Sequence, residues 1–141
     1  MTSFIAALAC SAFIIIVAEL LANFITTRFY AAAILAAIAF IYVGFSLKGN
    51  PPALVLLECT MALAFFFVAL AGFTRNYLLI AGGIMLHGVW DILHGYLVPT
   101  AIPSYWPLFC FIIDILTGLY FLLRFRKMQQ QQPTTPTPVN N

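Results

Sequence analysis

Five uninterrupted apolar runs, each long enough to cross a bilayer, take up nearly the whole of this 141-residue chain. A helix rises about 1.5 Å per residue, so roughly 20 apolar residues match the hydrocarbon core of a membrane. The runs are Ser3–Phe24, Tyr30–Leu47, Ala53–Phe73, Tyr77–Val98 and Tyr105–Leu123. Their separators are short and polar or proline-bearing, such as Thr26-Thr27-Arg28, Lys48 to Pro52, Thr74-Arg75-Asn76 and Pro99 to Ser104. Water does not reach the bilayer core, so each run is expected to be helical to pair its own backbone groups. Continuous rather than alternating hydrophobicity argues against a membrane barrel. The expected fold is therefore all-α: a polytopic membrane protein, residues 1–127, with five transmembrane helices in one bundle.

Composition sharpens the exclusion. The chain is 64% apolar and 7% charged, against about 25% charged in ordinary soluble domains. That balance excludes a soluble enzyme, a nucleic-acid binder and a disordered chain. No Lys or Arg precedes the first run, so it is expected to be a span and not a cleaved signal. Residues 128–141, rich in Gln, Pro and Thr, read as a disordered tail. Arg28, Arg75, Arg124, Arg126 and Lys127 fall on one side of the threading and Lys48 on the other. Positive charge stays cytoplasmic, which predicts a multi-pass protein of the cell membrane with its N-terminus outside and its tail inside. Cys10, Cys59 and Cys110 all lie within spans, where cysteine acts as a small hydrophobe.

The informative residues are the ionisable ones. All four carboxylates (Glu19, Glu58, Asp91, Asp114) and both histidines (His87, His94) lie inside the apolar runs. A carboxylate at the centre of a transmembrane helix costs roughly 2.5–3.5 kcal/mol on insertion scales, so such groups are typically paired and functional. In the fourth span His87, Asp91 and His94 stand at i, i+4 and i+7 on one helix face, with Trp90 flanking it. Gly88 and Gly95 would let a neighbouring helix approach closely. Asp114 shares a face of the fifth span with Cys110 and Thr117. The second span carries no ionisable group and is expected to face lipid. Helical rise places Glu58, His87, Asp91, His94 and Asp114 in one layer from the centre to the outer half, with Glu19 separate on the inner side.

Two imidazoles and three carboxylates suit zinc, iron or manganese, with His87, Asp91, His94, Glu58 and Asp114 as ligands. Such a site would make the protein a metal-dependent membrane enzyme acting on an apolar or lipid-like substrate. A metal-free alternative uses Asp91, Asp114 and Glu58 as acids and Trp90 as a cation stabiliser, in isomerase or cyclase chemistry on isoprenoid- or sterol-like lipids. A third reading is a proton-coupled transporter or an accessory subunit of a larger membrane complex, a homo-oligomer included. The partners expected in every case are the bilayer and an apolar small molecule, not nucleic acid.

The stretches Leu86 to Gly95 and Ile102 to Asp114 resemble an uncharacterised family of small bacterial integral-membrane proteins. That family pairs a His-x-x-Trp-Asp-x-x-His helix, here His87, Trp90, Asp91 and His94, with a helix matched here by Tyr105, Phe109, Cys110 and Asp114. The resemblance covers the last two spans and implies no function. A fainter likeness is to five-span emopamil-binding sterol isomerases, through Glu58 and the element from Gly88 to Asp91; no His stands one turn before Glu19 to complete it. It implies isomerase chemistry by analogy alone.

Overall fold

The computed structural model describes residues 2–99 and 102–130. The helices are α1 (Thr2–Leu21), α2 (Thr27–Ala39), α3 (Ile41–Ser46), α4 (Pro52–Thr74), α5 (Leu78–Leu97) and α6 (Trp106–Gln130). Taken together, α2 and α3 make one crossing, so five helical segments are long and apolar enough to span a membrane. The described residues contain no strand. Local signals account for the ends. The Thr26 side chain accepts a hydrogen bond from the Phe29 amide at 3.2 Å and starts α2. Pro52 opens α4, where its missing N–H costs nothing. The last helix runs past Leu123 to Gln130, so Met128–Gln130 of the expected tail are helical, and residues 131–141 lie outside the described residues.

The second crossing departs from expectation in two ways. It is broken at Phe40 (φ −92°, ψ 0°), whose amide bonds back to Ala37 and Ile38 to close α2 before α3 resumes. It also does not simply face lipid. Ala31, Leu35, Ala39, Tyr42 and Ser46 are all buried, a stripe at helical spacing pressed against the bundle. The absence of ionisable groups was a poor guide because small and aromatic side chains pack helices together in lipid without any charge.

The most extensive helix pair is α5 with α6, and α5 also packs on α2 and α4. Small residues permit the close approach. A Cβ on Gly88 would sit 3.0 Å from the Asp114 Cβ, and one on Gly95 2.9 Å from Pro107. One on Gly118 would meet Met85 at 2.5 Å and the Ala81 carbonyl at 3.1 Å. The heptad-spaced glycines thus do what their spacing predicted. By contrast, α1 packs along α6 and hardly meets α2. One strap joins those two: the Tyr30 hydroxyl donates to the Ile14 carbonyl at 3.2 Å.

One end of the bundle is basic. Arg28 donates to the Gly72 carbonyl at 3.0 and 3.3 Å and lies over the rings of Phe73 and Tyr77. At the same end Glu19 accepts a hydrogen bond from the Tyr120 hydroxyl at 2.5 Å and pairs with Arg124 at 3.4 Å. Glu19 is therefore a surface anchor of α1 on α6, half exposed and apart from the other carboxylates. Those others gather toward the opposite end.

Candidate functional site

The geometry follows from the α5–α6 contact. Gly88, the residue after His87, lets the α6 backbone close down onto α5, and this seats Asp114 against the imidazole. The His87 Nδ1–H donates to Asp114 Oδ2 at 2.8 Å, and the same nitrogen stands 3.7 Å from Asp91 Oδ2 one turn along its own helix. One donor atom from each of His87, Asp91 and Asp114 lies within 4.8 Å of the others, and all three residues are buried. His87 is the one basic group within ion-pair distance of Asp91 among the described residues. Both Asp91 carboxylate oxygens are buried with no hydrogen-bond partner.

His94 and Glu58 make a second, separate pair. The His94 Nε2–H donates to Glu58 Oε1 at 2.6 Å, and both side chains are fully buried between α5 and α4. The single five-ligand shell expected from the sequence is thus corrected to a three-residue cluster and a two-residue pair. The reason is axial distance. Residues i and i+7 share a helix face but stand two turns, or about 10 Å, apart along the axis. At that separation two imidazoles meet at one ion only if they lean toward each other, and here they turn to carboxylates on different helices. Each histidine takes its carboxylate from a different neighbouring helix.

Tyr42 lies between the two groups. Its ring stacks on His94 (3.8 Å between centroids, 18° between planes) and stands 6.4 Å from the His87 ring. Its hydroxyl is buried without a partner. Tyr42 was missed in the sequence because its span looked wholly apolar; the legible signal was its place on the stripe of residues 31, 35, 39, 42 and 46. Trp90 sits edge-on to His94 at 5.8 Å but faces a different, outward groove with Met61, Phe65 and Leu93.

The cluster opens on a cavity of about 180 Å³. His87, Asp91, Asp114, Tyr42 and Cys110 line one part of it. Ile14 of α1, Ile38 and Ile41 of the broken crossing, and Phe109 and Ile113 of α6 form hydrocarbon walls. Trp106 also lines the cavity, and its indole N–H is buried without a partner. The arrangement can hold a cation among two carboxylates and an imidazole, beside a space shaped for apolar matter.

The two helices that carry the cluster are the two whose motifs suggested membership of an uncharacterised membrane family. No curated protein and no solved structure matches the chain. A family model does match, over residues 2–127, which takes in every helix that lines the cavity. The chain belongs to the family of unknown function DUF6010.

Proposed function

We propose that this protein is a metal-dependent membrane enzyme whose divalent ion is held by His87, Asp91 and Asp114 and faces an apolar or lipid-like substrate in the adjoining cavity. One observation carries the reading: the Asp91 carboxylate is completely buried, with both oxygens unpartnered, in a site with no Lys or Arg ion pair. A buried carboxylate whose sole ion-pair contact among the described residues is a histidine 3.7 Å away is costly to hold, and a cation removes the cost. Spacing is compatible: one donor atom from each of the three residues lies within 4.8 Å of the others, and the Nδ1 proton now shared between His87 and Asp114 would leave as the nitrogen takes up the ion. Three protein ligands leave at least one position open, which is what hydrolytic or oxidative metal chemistry requires.

The test is elemental analysis of detergent-purified protein, prepared without chelators and with an affinity tag free of histidine. About one zinc, iron or manganese per chain is expected, and His87→Ala or Asp114→Ala should each remove it. His94→Ala should keep it, because His94 belongs to the other pair. A metal-free wild type, or metal lost with His94 and kept without His87, would overturn the assignment. The hydrocarbon walls of the cavity also favour a second reading, metal-free acid catalysis by Asp91 and Asp114 on an isoprenoid-like lipid. A metal-free preparation that turns over such a substrate would select it.

The orientation is part of the proposal. Positive charge at the end that holds Arg28 and Arg124 supports a cytoplasmic position for that end and an outer-half position for the cavity. A reporter active only in the cytoplasm should therefore give signal when fused after Asn141. A silent C-terminal fusion with an active N-terminal one would invert the assignment.

A further inference from the structure

Four buried polar atoms without hydrogen-bond partners belong to residues lining one cavity: the Tyr42 hydroxyl, the Trp106 indole nitrogen and the two Asp91 oxygens. Buried polar groups are nearly always paired, so orphans gathered on one space point to something that enters it. The metal reading accounts for Asp91. With Asp91 engaged by the ion, the Tyr42 hydroxyl, whose nearby acceptor Asp91 would otherwise be, and the Trp106 indole remain as donors. Two donors call for an acceptor, and the walls that Ile14, Ile38, Phe109 and Ile113 contribute call for hydrocarbon attached to it.

We infer that the cavity binds the oxygen-bearing end of a long-chain alcohol from the surrounding bilayer, with Tyr42 and Trp106 donating hydrogen bonds to the oxygen. A small cavity fits this role. An apolar cavity of about 150 Å³ takes a benzene-sized molecule, so 180 Å³ accepts the head and first few carbons of a chain and not a whole lipid. The rest of the chain must lie outside. The seam between α1 and α2 offers the route, since those helices hardly meet and Ile14 and Ile38 on its two sides line the cavity. Tyr42 is also held for the task. Its ring is stacked on His94, which Glu58 fixes at 2.6 Å, so the phenol is oriented before any ligand arrives. The inference shares the cavity with the proposed metal site but needs no metal.

Photolabelling tests it. Full-length protein in phosphatidylcholine nanodiscs is irradiated with a sixteen-carbon alcohol carrying a mid-chain diazirine, or with the matching diazirine alkane, and adducts are mapped by mass spectrometry. The alcohol should label the segments around Ile14 and Ile38 about fivefold to tenfold more than the alkane, the gain expected from one or two hydrogen bonds. Unlabelled hexadecanol should compete and hexadecane should not. Tyr42→Phe keeps the stacked ring and should erase most of the preference, and Ile38→Trp should fill the cavity and lower labelling by both probes. Equal labelling of wild type by alcohol and alkane, or a preference unchanged in Tyr42→Phe, would overturn the inference. Elemental analysis of the same preparations keeps the two readings apart: alcohol preference in metal-free protein supports this site and counts against the metal, and the reverse holds for metal-loaded protein without preference.

Discussion

Supplied with the proposed divalent ion at about a thousandfold the Kd, the wild-type protein is expected to gain about 4 kcal/mol against thermal unfolding in detergent. Asp91→Leu is expected to show no gain, because one of three ligands is gone and the ion is lost with it. The telling comparison is the metal-free state. There the order should reverse, with Asp91→Leu more stable than wild type by about 1–3 kcal/mol, the cost of a buried polar group left unpaired. Leucine has the branched outline of aspartate with bulkier methyl tips, and those tips face a cavity whose walls are already hydrocarbon. A side chain that merely packed or hydrogen-bonded would not behave this way. Neither Asp91 oxygen has a hydrogen-bond partner within 3.5 Å, so removing the carboxylate costs only its looser 3.7 Å contact with His87. Thermal melts of both proteins, with and without the ion found by elemental analysis, decide the matter. If Asp91→Leu is the less stable protein in both states, the carboxylate has a structural partner and the metal reading loses its main support.

The crossings were legible because hydrocarbon imposes a length and forbids unpaired backbone, so the runs 53–73 and 77–98 fall within a residue of α4 and α5. The close approach at Gly88 and Gly95 was legible for a similar reason: a missing side chain in an apolar helix has few other uses. The partition of the buried acids was not. Periodicity tells which residues share a face of α5, but that face is wide enough for α4 to cover His94 while α6 covers His87. Nothing in a single helix says where one neighbour ends and the next begins. Tyr42 was hidden differently. Its role depends on the break at Phe40 and on a ring stacked across helices, and neither leaves a mark in local composition.

The coupling of packing to the site can be tested with one chemical change made at two glycines of the same helix. At Gly88 an added Cβ would lie 3.0 Å from the Asp114 Cβ and 3.4 Å from the Phe111 carbonyl oxygen. Both obstacles belong to the α6 backbone or the first atom off it, so no flexible side-chain tip can swing aside. Gly88→Val must push α6 outward, and the first contact to lengthen is the 2.8 Å bond from His87 to Asp114. Overpacking of this kind costs about 1–3 kcal/mol, with the α5–α6 pair taking the loss. Loss of the metal should accompany it, since ligand separations near 3 Å tolerate little displacement. At Gly82, six residues earlier, an added Cβ meets nothing within 4 Å. Gly82→Val should therefore change stability by no more than about 0.5 kcal/mol and leave the metal in place. Valine has the same helix propensity at both positions, so the difference between the variants isolates the interface. Thermal unfolding and metal content measured on the pair would show it. Equal behaviour of the two variants would mean that α6 is not seated on Gly88, and the cluster of His87, Asp91 and Asp114 would lose the contact that assembles it.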